Sequence, residues 1–432
     1  MTLRSVTRKV PSIVIRKPFL VIIAFTLVVL LNPMQLRHDD GVRFAHAADA
    51  VSGSSLLDSK YSICFLWILW SLINMGRGIG NELVFVQLLV PMLLALSALL
   101  LTTSLGRGRS PIVRKVGTHA VLFSLAGAYV VSPNSDLFSA SLLVIGYVLT
   151  LDSRAFSFFL RAPFGVLALV LAGWNSPPHV AGIGAIGLIL VLKKKSCLVV
   201  CAAAVAAILV IGEATLANGE FSASKYGLEG GAPNVLPWEN IVGFGYPILF
   251  GVIGILFSLG RGLVFFVPGL WFVGDQPQKR NFDPTRVLVL HTLILIPIYG
   301  TWWSWYGGVG FGPRFFIVGA FAGAGLLAIN AGNIPSVKRK CWISVALLLS
   351  TYVSLVGALI HISNNTFNRC VDDNFYYEPI CWYVAEYSPL LSPLWDNFEP
   401  IGVRGWILVS LGALSVFSTI KAVFQETSRT PT

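Results

Sequence analysis

Two arginines in this chain are set among glycines at the edges of apolar segments. Arg261 occupies ILFSLGRGL (255–263), and Arg314 closes WWSWYGGVGFGPRFF (302–316). An arginine inside a membrane span costs about 2.5–3.5 kcal/mol on insertion scales, so it faces a cavity and has a partner. Gly260 and Gly262 let a helix break around Arg261, or let a ligand approach backbone N–H groups. Two readings of Arg261 stand: it binds an anion, or it pairs with a carboxylate such as Glu213 or Glu239. Around Arg314, Gly307, Gly308, Gly310 and Gly312 give a loop of free dihedrals. Pro313 suits the first turn of a following helix, which places Arg314 beside the positive end of that helix. Loop, helix start and arginine together make an anion site, and phosphate is the usual guest. Trp302, Trp303, Trp305 and Tyr306 read as an interfacial aromatic belt.

Carboxylates supply the other half of the chemistry. Asp39 and Asp40 follow the first apolar run directly, and Arg43, His46 and Asp49 come after them. The spacing predicts a short helix on the membrane surface with its polar groups to one side. A carboxylate held there is placed to take a proton from an acceptor hydroxyl, and Asp40 is preferred over Asp39. Asp136 ends the turn SPNSD. It reads as a helix N-cap, or as a second carboxylate that orients an acceptor or holds a divalent cation. His179, after two prolines, reads as a polar cap at a helix start, with lining of the cavity as the alternative. The substrate-binding set is thus Arg314, Arg261, Arg43, Gly312, Gly308, Trp305 and Asp136.

These groups need positioning, and composition says by what. The 432 residues are 55% hydrophobic and only 12% charged, with mean hydropathy +0.75; a soluble domain carries about 25% charge. Continuous apolar runs predict an all-α polytopic membrane protein, not an alternating β-barrel. About twelve spans are expected, near 19–36, 83–104, 117–132, 136–151, 157–173, 179–192, 196–213, 244–273, 286–304, 314–331, 341–362 and 402–423. They form one membrane-embedded domain over 1–432, with outer loops at 37–82, 213–243 and 362–401. The basic N-terminal stretch and the run from Phe19 to Leu36 are taken as an uncleaved span rather than a signal peptide.

A net charge of +11 would fit nucleic acid only as one exposed patch. Here Lys and Arg fall in short clusters between apolar runs, which orients a membrane protein. With both termini cytoplasmic, the loops GRGRSPIVRK, LDSRAFSFFLR, LKKKS, DQPQKRNFDPTR and SVKRK all lie inside, and every candidate site residue except Arg261 lies in or beside an outer segment. Cys370 and Cys381 share the last outer loop, where a disulfide suits an oxidising exterior. No cysteine–histidine set has zinc-site spacing. Asn364-Asn365-Thr366 is a formal glycosylation sequon.

Taken in order, these segments resemble the C superfamily (GT-C) of integral-membrane glycosyltransferases, in particular the group with the fold of the dolichyl-phosphate-mannose–protein mannosyltransferases. The segments that carry the resemblance are ILFSLGRGL, WWSWYGGVGFGPRFF and the late PLWDNF (393–398), with the acidic pair soon after the first span. The resemblance implies a sugar donor linked to a polyprenyl phosphate, with its phosphate at the outer face of a bacterial plasma membrane. It implies Asp40 or Asp39 as base, and phosphate binding by Arg261 and Arg314. The acceptor is a lipid, a glycan or a protein. No cofactor is called for, and a divalent cation is left open. Two rivals stand beside this reading: a transporter or flippase of a lipid-linked or anionic substrate, and a non-catalytic assembly protein of the same fold.

Overall fold

The computed structural model describes residues 13–31, 38–51, 61–151, 158–194, 196–219, 221–222, 243–275, 283–308, 310–333, 336–359, 381–394 and 402–426. Among them there is no strand. Helices satisfy every backbone group within one segment, which is what a bilayer demands of a crossing element. Five helices are long and apolar enough to cross a membrane: Val84–Leu105, Leu198–Asn218, Arg314–Gly332 with its leading 3₁₀ turn, Val337–Leu359 and Val403–Gln425. Shorter apolar helices accompany them. The chain is a multi-pass membrane protein.

In order, the α-helices are α1 (Ile13–Leu31), α2 (His38–Val51), α3 (Ile63–Gly78), α4 (Val84–Leu105), α5 (Pro111–Leu122), α6 (Leu125–Ala128), α7 (Ser135–Leu151) and α8 (Phe158–Asn175). There follow α9 (Pro178–Leu192), α10 (Leu198–Asn218), α11 (Ile248–Phe257), α12 (Leu263–Phe266), α13 (Pro284–Gly300), α14 (Ile317–Gly332), α15 (Val337–Leu359) and α16 (Val403–Gln425). Several starts are set by local chemistry. Ser110 accepts from the Ile112 N–H with Pro111 at the first helical position, and Asp283 does the same for Thr285 ahead of Pro284. Both combine a capping side chain with a residue that has no N–H to lose. Helix α14 is buried along almost its whole length and packs on α5 and α13.

Two expected spans are broken. The stretch 117–132 ends as α5 at Leu122 and resumes as α6, with Ser124 accepting from the Ala126 N–H. The stretch 244–273 divides into α11, a turn over Ser258–Gly262, α12 and a 3₁₀ segment Pro268–Asp275. Hydropathy runs through both breaks, so only the glycines of the second hinted at one. The expected outer loop 37–82 contains two helices. Helix α2 is short and amphipathic, with Ala47 in the core and His46 and Asp49 exposed, but Arg43, expected on the same polar side, is buried. Helix α3 was not anticipated.

Both ends of α3 are tied to one end of the bundle. The Ile63 N–H donates to Glu213 near the end of α10 at 2.9 Å. At the other end α4 follows a short turn, and Gln87 there donates to the Leu30 carbonyl at the end of α1, 3.0 Å away. Helix α3 therefore runs along that end of the bundle. The same end holds the contact of Asn175 with the Ser135 carbonyl, 3.1 Å, and the approach of Trp303 to Gly243, 3.0 Å. At the opposite end Arg109 meets Asp283 at 2.9 Å, Ser110 bonds Glu426, and Lys340 reaches the Phe424 carbonyl at 3.2 Å. Segments assigned to one side by their charge thus touch each other.

Candidate functional site

The glycine loop between α13 and α14 is built around Arg261. Its guanidinium donates to the carbonyls of Gly308 at 2.5 Å, Gly312 at 2.6 Å and Gly310. It also lies over the Trp382 ring, 3.8 Å from the centroid. The side chain is 0% exposed. A guanidinium has five donors in a rigid fork, and a ring of carbonyls with an aromatic face is an alternative to a carboxylate partner. Glu213 is committed elsewhere. It accepts from the Ile63 N–H at 2.9 Å and from the Trp174 indole at 2.7 Å, at the start of α3. Glu239 lies outside the described residues.

The carbonyls can converge because of the backbone. Gly307, Gly308 and Gly312 have φ of +80°, +65° and +58°, the left-handed region that residues with a Cβ avoid. At Gly312 a Cβ would also fall 2.5 Å from the Phe266 ring. In a planar peptide the C=O and the next N–H point opposite ways. Turning the Gly310 carbonyl toward Arg261 therefore directs the Phe311 N–H away from it. Tyr129 donates to the Phe311 carbonyl and holds the loop from α6.

Arg314 lies on another side of the same loop. Its stem passes Gly307 and Gly310, where a Cβ would come within 3.0 and 3.2 Å of it. Its Nε is 3.7 Å from an Asp136 carboxylate oxygen, with the side chains 12% and 15% exposed. Asp136 stands in the first turn of α7 but is not the cap. The Asn134 side chain takes that role, accepting from the Leu137 N–H at 2.8 Å. Arg314 itself opens a single 3₁₀ turn, Arg314–Phe316, that leads into α14. An arginine and an aspartate from separate helices thus meet beside a glycine loop, close to a helix start.

Three of the four aromatics ahead of the loop pack inward instead of forming a belt; Trp303 is half-buried. Trp302, Trp305 and Tyr306 are buried. Trp305 packs against Gly254, whose Cβ would meet its ring at 2.5 Å, and lies 5.6 Å from Tyr306 and 6.1 Å from Tyr383. Tyr306 stacks on Trp382 at 5.7 Å. The segment 381–394 therefore covers the loop. It is fixed there by the Gly260 N–H on the Trp382 carbonyl, 2.8 Å, and by Ser388 on the Leu259 carbonyl, 2.7 Å. Burial, with Tyr246 nearby, pushes the Tyr383 phenol up to about 12, so it stays an O–H group. Cys381 is disulfide-bonded; Cys370, its expected partner, lies outside the described residues.

Arg43 sits elsewhere, in the α2–α3 pair, buried with its guanidinium 4.3 Å over the Tyr61 ring. Asp39 and Asp40 fall in the first turn of α2, and their side chains lie outside the described structure, as does the PLWDNF segment beyond Leu394. His179 makes no cap hydrogen bond. It bonds His291 at 3.0 Å, which in turn bonds Tyr147 at 2.8 Å, a buried chain joining α9, α13 and α7. No group of three or more His, Cys, Asp or Glu able to hold a metal ion occurs among the described residues.

Sequence reasoning missed Trp382, Tyr129 and Asn134 as parts of the site. Asn134 was legible as one of three capping residues in SPNSD. Trp382 and Tyr129 carry no local signal, because each acts through a fold contact.

No family model and no curated protein matches the sequence. The fold is similar to the crystal structure of ArnT from Cupriavidus metallidurans in the apo state. The TM-score is 0.50 at 9% identity, covering 95% of this chain and 76% of that one. The structure of the same protein bound to undecaprenyl phosphate matches with TM-score 0.48 and 12% identity over the same shares.

Proposed function

We propose that this chain is a glycosyltransferase of the C superfamily that moves a sugar from a polyprenyl-phosphate carrier to an acceptor at the outer face of a bacterial plasma membrane. The observation that carries the proposal is the Arg314–Asp136 pair set against the glycine loop, in the segment that resembles the C superfamily and on a fold similar to that of ArnT. About twelve crossings with both termini cytoplasmic put that loop outside, in keeping with the charge of the loops.

The chemistry is displacement at the anomeric carbon. The acceptor oxygen forms a bond to that carbon, and the bond from the carbon to the phosphate oxygen breaks. The electron pair leaves with the carrier phosphate, and Asp40 (or Asp39) takes the acceptor proton. Arg314 meets the charge that grows on the phosphate, where fixed donors are most effective. Asp136 keeps the guanidinium oriented. Arg261 serves the phosphate site from beneath, holding the carbonyls of Gly308, Gly310 and Gly312 inward so that amides such as Phe311 N–H face away from it. Trp305 packs the loop from behind, and Arg43 anchors the helix that carries the base. The acceptor is a lipid, a glycan or a protein.

The test is a product. Cells lacking the chain are complemented with wild type or with Asp39→Asn/Asp40→Asn, and envelope lipids and glycans are compared by mass spectrometry. The enzyme reading expects a sugar-bearing species that only wild type restores, at equal protein level and equal thermal stability. A flippase changes no covalent bond, and an assembly protein tolerates both substitutions; full restoration by the double variant rejects the enzyme.

A further inference from the structure

A cavity lies away from the glycine loop, at the end of the bundle where Arg109 meets Asp283. Its volume is about 430 Å³, and it is lined by Trp271, Phe272, Ser336, Lys338, Arg339 and Trp342. Trp271 and Trp342 form one wall, edge to face at 6.2 Å, with the Trp271 indole anchored on the Val264 carbonyl at 2.9 Å. Both rings are well exposed, at 38% and 52%. Two cations and a hydroxyl thus share a cavity with two amphipathic rings, the residue types that gather at a membrane–water boundary.

The surface beyond the cavity narrows the choice of ligand. Trp342, Val345, Leu348 and Leu349 of α15 are all exposed and recur at helical spacing, so one apolar stripe runs from the cavity along the helix. A soluble anion would use the cations and leave the stripe idle. A bilayer lipid uses both, its phosphate at Lys338 and Arg339 and its acyl chains along the stripe. Basic pockets between membrane helices bind anionic head groups for this reason.

We infer that this cavity is a site for an anionic phospholipid of the bilayer, separate from the proposed carrier site and independent of whether the chain is an enzyme. The test uses the whole protein in nanodiscs of phosphatidylglycerol or of phosphatidylcholine, released into detergent and weighed by native mass spectrometry. Wild type is expected to retain phosphatidylglycerol and not phosphatidylcholine. Lys338→Ala/Arg339→Ala is expected to retain about thirtyfold less, about fivefold for each basic residue lost near a bilayer surface. Lys338→Ala alone, at an exposed position, is expected to give part of that loss without touching the fold. Inorganic phosphate at millimolar level is expected not to displace the lipid. Equal retention in all variants, equal retention of both lipids, displacement by phosphate, or a second copy of the chain seated on Trp342 instead of lipid each overturns the inference.

Discussion

Arg261 and Arg314 look alike in the sequence, each beside glycines at the edge of an apolar run, and they separate only in three dimensions. Arg261 turns inward to three carbonyls and Trp382; Arg314 meets Asp136 across the loop. No local pattern distinguishes the two, because the partners of Arg261 come from a loop about fifty residues away. The distinction predicts different failures. Arg261→Met strips buried carbonyls of their donors at about 1–3 kcal/mol each. It should lower the thermal midpoint in detergent and open the loop to protease, whatever ligand is present. Arg314→Ala leaves Asp136 without its partner at a part-buried site, so it should lower the midpoint, but less than Arg261→Met, and lower the transfer rate by about 10²–10³-fold, the range for loss of a group that stabilises developing charge. Arg314→Lys should recover part of the rate, keeping the charge without the planar fork. If Arg261→Met and Arg314→Ala prove indistinguishable in stability, the division of labour is wrong.

At the scale of elements, most helix positions were legible because continuous apolar runs leave a chain in lipid few other options. The expected 83–104, 136–151, 179–192 and 402–423 lie within a few residues of α4, α7, α9 and α16. What hydropathy cannot show is a break that costs no hydropathy, as at Ser124 or Ser258–Gly262, or an apolar helix that stays on one face, as α3 does. The glycine loop was legible in kind, since only glycine populates its φ values freely, but its cover by segment 381–394 was not. The loop also yields a graded prediction. Gly308→Ala should cost about 1–2 kcal/mol for its left-handed backbone, as open space surrounds it apart from the Arg314 guanidinium at 3.8 Å. Gly312→Ala should cost more, because the new Cβ also strikes Phe266. Chemical denaturation in mixed micelles reads the difference, and equal costs would contradict the packing described. The cover segment has its own signature. The Tyr383 phenol, ordinarily at 10.0, is raised to about 12, so the folded state keeps its proton longer than the unfolded chain. The resulting contribution to stability is full below about pH 10 and is lost as pH climbs toward 12. The ring is 41% exposed, so the shift reflects partial burial; difference absorbance between wild type and Tyr383→Phe should show one phenol ionising above the usual 10, and ionisation at 10 would mean that segment 381–394 does not hold the phenol against the loop.

For the whole molecule, charge pattern and structure point to the same two ends. Loops rich in Lys and Arg meet around Arg109, Asp283, Lys340 and Glu426, and the candidate site lies at the other end. The native cysteines report on this directly. Cys197, Cys201 and Cys341 are free and exposed, and each falls beside a segment assigned to the inside. A membrane-impermeant maleimide should label Cys197 and Cys341 only after cells are permeabilised, read as modified peptides by mass spectrometry. Labelling in intact cells would invert the topology and remove the site from the outer face. The side chains of Asp39 and Asp40 belong to this scale too, since their distance from the loop depends on how α2 rests on the bundle.

The most direct measurement is native mass spectrometry of the purified protein with a polyprenyl phosphate, comparing wild type, Arg314→Ala and Lys338→Ala/Arg339→Ala. Wild type and the double variant should hold one polyprenyl phosphate, and Arg314→Ala, folded by its thermal midpoint, should lose it. Binding by Arg314→Ala equal to wild type, or no binding by folded wild type, would contradict the assignment of the carrier phosphate to the glycine loop.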